Sequence, residues 1–255
     1  MKFIEFYGDS RLRHKIVYDK ESYSECIYCG TKADSREHIP SKVFLERPYP
    51  ENLAIVPACS TCNNSFSKDE LFLSILVEKL KIKYYDKGYI PSMEIITRIN
   101  NNTKISNEID NAVEADRINQ FEKRISRILF KLAIGHAVYE ISEGYCIKDI
   151  NVDYSFLPDM TNQELDEFCQ PYILNGELYP EVGSRVYDRI MVLEFDLVSN
   201  NEAKEKYKAQ VLILDWVDVQ QSKYSYTGYR FGNEIEVKMI INDFLYSKVV
   251  INVDK

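Results

Sequence analysis

Long apolar runs are missing from this 255-residue sequence. Nothing approaches the roughly 20 consecutive apolar residues that span a bilayer, and the opening stretch from Met1 to Lys15 lacks the apolar segment and small-residue site of a secretory signal. The expectation is a cytoplasmic protein with no membrane partner. Internal repeats, low-complexity tracts and Gly/Ser linkers are also absent, so segment boundaries must be read from changes of pattern. Positive charge is scarce. A net charge of −8 argues against a protein that coats nucleic acid through its overall field, because such binding rests on Lys and Arg neutralising phosphates.

An even scatter of cysteines, common in secreted disulfide scaffolds, is missing too. The six cysteines fall as two close pairs plus Cys146 and Cys169. In a reducing compartment paired cysteines more often bind metal, and the two leftovers read as buried thiols acting as small hydrophobes.

With 45% hydrophobic residues the chain can bury an ordinary core. Its charge is uneven. Residues 1–80 hold 11 Lys/Arg against 12 Asp/Glu, residues 81–135 hold 10 against 7, and residues 136–255 hold 11 against 21. The acidity lies in the C-terminal half, so nucleic acid is expected against the N-terminal part and the helices after it.

Three segments follow from the pattern. Residues 1–85 contain the cysteine pairs and end in a helix, with Ser67 and Glu70 as a capping box and Leu71, Ile75, Leu76 and Leu80 on one face. Residues 86–142 form a helical connector dominated by a helix over 117–141. There Ile118, Phe121, Ile125, Ile128, Leu129, Leu132 and His136 recur at helical spacing, opposite a charged face of Arg117, Lys123, Arg124, Arg127 and Lys131. That face reads as solvated charge ahead of a phosphate track, and His136 as a satisfied core histidine. Residues 143–255 read as an accessory domain of antiparallel strands over 187–198, 207–219, 224–231, 234–241 and 249–253, with turns at Thr227-Gly228 and Gly232-Asn233 and a short helix opened by Thr161 and Glu164. The fold class expected is α+β.

Cys26-Ile27-Tyr28-Cys29 and Cys59-Ser60-Thr61-Cys62 each offer two thiolates from one tight turn. Four thiolates complete the tetrahedral shell of a structural zinc and leave no position for substrate. Closing this loop would contribute on the order of 10 kcal/mol to forming the module. The 29 residues between the pairs exceed usual ribbon spacing, so the insertion carries something more than a loop.

That insertion holds Arg36-Glu37-His38-Ile39-Pro40 and Asn52-Leu53-Ala54-Ile55-Val56-Pro57, and the second pair leads directly into Asn63-Asn64. Phosphodiester hydrolysis needs a base for water, a cation for the phosphate charge and a scaffold that aligns them. Histidine titrates near neutrality, while a carboxylate and an amide oxygen suit magnesium or manganese. The order CxxC, acid-His-Ile-Pro, Asn-Leu before an apolar strand, CxxC-Asn resembles the HNH endonuclease superfamily over residues 23–70.

That resemblance implies two strands and a helix around one divalent ion, a ββα-metal module. Carried over by position, it implies His38 as general base, Glu37 and Asn63 as ligands of catalytic magnesium or manganese, and Asn52 as the residue holding the His38 loop. Glu37 stands where aspartate is commoner, Asn63 replaces a histidine, and Phe66 occupies a position where many relatives have lysine. Arg36, Lys42, Arg47 and Lys68 are candidate phosphate contacts. The stretch from Asp215 to Tyr226 and the end of the chain loosely resemble an uncharacterised group of bacterial HNH proteins. Many stand-alone bacterial HNH proteins act on foreign or mobile DNA, so DNA is the implied substrate.

Two alternatives stand beside this reading. One is a zinc protein that binds nucleic acid without cutting it, in which His38 merely packs. The other is an interaction protein whose acidic C-terminal domain recruits or regulates the nuclease module, as a homodimer or through another protein. Trp216, Tyr224, Tyr226 and Tyr229 read as core aromatics ahead of a base-stacking surface.

Overall fold

The computed structural model describes residues 24–51, 53–141, 147–174, 190–198 and 206–253. Asn52, Cys146 and the expected strand start at Tyr187 lie outside the described residues. The chain mixes helix and sheet, so the α+β expectation holds at that level. Among the described residues no helix is long and apolar enough to cross a membrane.

Two short strands, β1 (Ser35–Ile39) and β2 (Ala54–Ala58), pair antiparallel with His38 opposite Ile55 and Glu37 opposite Val56. The long helix α1 (Ser60–Tyr85) follows at once. Its N-cap is Cys59, whose sulfur accepts the Cys62 amide at 3.3 Å, and not Ser67 as the sequence suggested. Ser67 sits two turns inside the helix, its hydroxyl donating to the Asn64 carbonyl, because the second cysteine pair already supplies the cap that starts the helix. The middle of α1 is buried beyond a single stripe: Phe72, Leu73, Ile75, Leu76 and Val77 are all sealed, while Leu71 and Leu80 are half-buried.

Helices α2 (Met93–Asn101) and α3 (Thr103–Glu114) fold back along α1. The expected helix over 117–141 divides into a 3-10 turn, Ile118–Phe121, and α4 (Glu122–Ile141). The apolar positions named for it do face the core: Phe121, Ile125, Ile128, Leu129, Leu132 and His136 are buried.

The C-terminal half contains β3 (Ile147–Phe156), α5 (Asn162–Cys169), β4 (Tyr172–Leu174), β5 (Ile190–Val198), β6 (Lys206–Leu214), β7 (Val217–Gln220), β8 (Tyr224–Phe231), β9 (Glu234–Ile241) and β10 (Leu245–Val253). Five strands form an antiparallel sheet in the order β3-β10-β9-β8-β7, and three form a second sheet, β4-β6-β5. Thr161 and Glu164 make the expected capping box at the start of α5. The run over 207–219 breaks at Asp215-Trp216 into two strands in different sheets. Thr227-Gly228 is not a turn but the middle of β8, paired with Lys238 and Val237; a side chain at Gly228 would press on the Glu236 carbonyl at 3.2 Å. The turn lies instead at Ser222, at φ 58°, and Gly232 makes the next one at φ 60°, as expected.

Alternation in β10 buries Val249, Ile251 and Val253, and α4 packs across this sheet. One continuous core therefore joins Phe44 and Leu45 before β2, Phe72 to Val77 of α1, Ile109 of α3, the α4 stripe, and Tyr224, Val237 and Val249 of the sheet. The three segments read from the sequence share that core. The Gln220 side chain adds a polar staple, accepting the Glu46 amide at 2.8 Å and donating to the Glu46 carbonyl at 2.9 Å.

Candidate functional site

The first cysteine pair lies on a tight turn. The Gly30 amide donates to the Cys26 carbonyl at 2.8 Å and the Cys26 amide to the Thr31 carbonyl at 2.6 Å, a closure that needs Gly30 at φ 70°, where a Cβ is disfavoured. The second pair forms the first turn of α1. Asp34 fastens the two together, its Oδ1 accepting the Ser60 amide at 2.6 Å and the Ser60 hydroxyl at 2.9 Å.

All four sulfurs, of Cys26, Cys29, Cys59 and Cys62, lie within 4.8 Å of one another. None of the four is in a disulfide, and Cys29 Sγ is 3.7 Å from Cys59 Sγ. A tetrahedral shell with zinc–sulfur bonds of about 2.3 Å has sulfurs about 3.8 Å apart. These residues fit one zinc ion. Their thiols are unequal: the Thr31 hydroxyl lowers Cys29 to about 6, the Cys62 amide lowers Cys59, and burial raises Cys62.

His38 follows directly from this scaffold. In β1 the inward residues are Glu37's own side chain and Ile39, at 6% and 1% exposure, and His38 between them is half-buried. Burial holds its imidazole below the ordinary 6.5, with the charges of Lys42 and then Lys131 acting in the same direction. A neutral ring at pH 7 can accept a proton. Asn63, one residue past the second pair, reaches the same strand: its Nδ2 donates to Ser35 Oγ at 2.9 Å and to the Arg36 carbonyl at 3.4 Å. The nitrogen end of its amide is the end tied to β1.

Glu37 has a partner the sequence did not reveal. Its Oε1 accepts from Lys131 Nζ of α4 at 2.8 Å and from Ser41 Oγ at 3.1 Å. The same ammonium donates to Ser41 Oγ at 2.6 Å and to Glu70 of α1, and Ser41 also donates to Glu70. Lys131 is wholly buried, not part of a solvated face. Tyr28 of the first cysteine turn has its hydroxyl buried without a hydrogen-bond partner among the described residues; burial, with the Glu37 and Glu70 charges, pushes its phenol well up. As a hard oxygen donor Glu37 suits magnesium or manganese, but a divalent ion there would share the carboxylate with an ammonium.

Two more charges of the expected basic face are spent within the protein, while Arg117 and Lys123 are exposed. Arg124 Nε and Arg127 Nη1 meet Asp69 of α1 at 2.7 and 2.6 Å, and their guanidiniums lie over Phe72 and Phe66. Arg36, Lys42, Arg47 and Lys68 are exposed, with Lys42 and Arg47 both near the Tyr49 ring, at 5.5 and 5.8 Å.

Two further expectations are settled by packing. His136 is 1% exposed, bonded through Nε2 to the Tyr224 hydroxyl at 2.8 Å and stacked 3.7 Å from Tyr226, so it is a core histidine. Tyr224 and Tyr226 are buried with it, Trp216 donates its indole N–H to the Cys169 carbonyl, and Tyr229 lies 4.1 Å from the Tyr172 ring; these are packed aromatics. Cys169 is exposed at the end of α5 and not buried as its type suggested.

Lys131, Ser41 and Glu70 had no sequence signal. Lys131 sits at the spacing of Arg124 and Arg127, and its partners lie 61 and 94 residues away. Against protein-family models, curated proteins and solved structures, the chain has no match.

Proposed function

We propose that this chain is a metal-dependent endonuclease of HNH type that hydrolyses phosphodiester bonds of DNA, with His38 as general base. One observation carries the reading. Two antiparallel strands and a helix, pinned by four clustered cysteines, bring the Asn63 amide onto β1 at Ser35 and Arg36, the strand that also carries the half-buried His38. This supports the ββα-metal reading, because a zinc-ribbon binding module has no need of an asparagine tied to the histidine's strand.

In this reading His38 takes a proton from water, the water oxygen adds to phosphorus, and the bond to the 3′ oxygen breaks; the 3′ oxygen takes a proton from solvent, leaving a 5′-phosphate and a 3′-hydroxyl. A magnesium or manganese ion on Asn63 and Glu37 would supply Lewis acidity at the phosphate. The exposed Arg36 and Lys42 flank His38 in sequence, and Arg47 and Lys68 are exposed as well; they would hold the backbone phosphates. The thiolate zinc, with a closed shell, takes no part in the chemistry.

The test is nicking of supercoiled plasmid by the intact protein with magnesium or manganese. His38→Ala should lower the rate about 100-fold or more while the zinc content stays at one per chain. Equal cleavage by His38→Ala would remove His38 as base. Engagement of Glu37 by Lys131 favours a second reading, a zinc protein that binds nucleic acid without cutting. Retarded DNA mobility with no cleavage under any divalent ion would support it.

A further inference from the structure

Three inward positions follow one another in the His38 segment, and all three meet helix α4. Glu37 and Ser41 both bond to Lys131 Nζ, at 2.8 and 2.6 Å. Ile39 lies between them and packs where Gly135 leaves room: a Cβ on Gly135 would stand 2.7 Å from Ile39 Cγ1, closer than real contacts permit, and a tight 3.3 Å from its Cγ2. Lys131 and Gly135 are four residues apart, one above the other on a single face of α4. One helical turn therefore touches the segment on both sides of His38, although α4 lies outside the 23–70 stretch that carries the motif.

We propose that Lys131 and Gly135 are positioning residues, and that α4 sets the location of the His38 ring by holding Glu37, Ile39 and Ser41 from behind. This rests on the nuclease reading of His38. Pairing with β2 sets the register of that strand, and Asp34 and the cysteines anchor its first end, but its inward residues Glu37 and Ile39 rest on α4. The other end, running into the turn at Ser41, is tied by an ammonium that also binds Glu70 of α1. Helix α4 is in turn seated on the C-terminal sheet through the shared core. The C-terminal half thereby supports the candidate site mechanically, which gives it a role without any external partner.

The physics of the two contacts differs, and that makes them separable. Lys131→Met leaves Glu37 and Glu70 buried without their cation, which strongly destabilises a protein and can prevent folding. Gly135→Ala acts the other way on the helix, because alanine is the better helix former. Its adverse effect is to overpack the contact with buried Ile39, which pushes Ile39, and with it His38, away from α4. A displacement on the order of 1 Å in a reacting group can lower turnover about 100-fold.

The experiment uses the full chain, zinc-loaded, with supercoiled plasmid and manganese, and compares wild type, Lys131→Met, Gly135→Ala and Gly135→Ala/Ile39→Ala. Gly135→Ala is expected to stay folded and keep its zinc, melting about 2–10 °C lower, while kcat falls about 10- to 100-fold and KM is little changed. The double variant, which removes the Ile39 atoms that the new methyl meets, is expected to recover most of kcat. Wild-type kcat in Gly135→Ala, or no recovery in the double variant, overturns the proposal whether or not Lys131→Met folds. The His38 ring Cε1–Hε1 NMR signal is read in parallel. It should shift in Gly135→Ala and return in the double variant, and an unmoved signal overturns the positioning role. Should His38→Ala cut as fast as wild type, the assignment of His38 as general base fails, and the ring signal still decides whether α4 places His38.

Discussion

Cys59 performs two jobs that substitution can separate. Its sulfur is one corner of the four-thiolate cluster and also the N-cap of α1, accepting the Cys62 amide at 3.3 Å. Serine in its place cannot supply a soft ligand but is among the best capping residues, whereas alanine supplies neither. Both Cys59→Ser and Cys59→Ala therefore lose one ligand from a site worth on the order of 10 kcal/mol, and both should bind zinc far more weakly than wild type. The cap contributes about 1 kcal/mol. In a chain of this size that is a difference of about 2–4 °C in melting temperature, with Cys59→Ala the lower. The structure also limits the damage. Phe72 to Val77 of α1 are sealed in the core with α4, so loss of zinc should unravel the cysteine turns and the first turns of α1 and leave the helical core standing. Circular dichroism melts at saturating zinc, with zinc released to a chromogenic chelator, measure both effects. Equal melting of the serine and alanine variants would refute the cap, and a wild-type protein that carries no zinc and ignores chelators would refute the four-thiolate site.

Two other expectations follow from the buried polar groups. His38 is held below 6.5 by burial and by Lys42 and Lys131, so the unfolded chain binds the more protons below 6.5. Both stability and any His38-dependent cleavage should then be intact above 6.5 and decline only as pH falls from 6.5 through the lower folded value; an acid limb of kcat/KM lying above 6.5 would contradict this. Tyr224→Phe removes the hydroxyl bonded to His136 Nε2 at a site with 1% exposure on both residues. It should lower stability by about 1–3 kcal/mol in urea melts without affecting zinc content, and an unchanged midpoint would show that the bond contributes nothing.

Much of this protein was legible before its fold. The two CxxC turns announced a metal cluster, because two thiols three residues apart need only a local turn to converge. The apolar spacing from Phe121 to His136 announced a buried helix stripe, and Thr161 with Glu164 announced a capped helix start, both of them properties of neighbouring residues. Boundaries fared less well where a distant group competed with a local one. Ser67 looked like a cap until Cys59 took that place two turns earlier, and Gly228 looked like a turn although the sheet needed it to pass close to the Glu236 carbonyl.

The sequence by itself determined the chemistry available: four thiolates on two turns, with a histidine between those turns and an asparagine directly after the second. Only the tertiary structure decided which charges are free. Arg124, Arg127 and Lys131 read alike along a helix, yet the first two are bound by Asp69 and the third is sealed between Glu37 and Glu70. The reason is physical. Helical spacing specifies the direction in which a side chain leaves its own helix, but an ion pair also requires a second chain segment at hydrogen-bond distance, and α1 and β1 reach α4 only when the core closes.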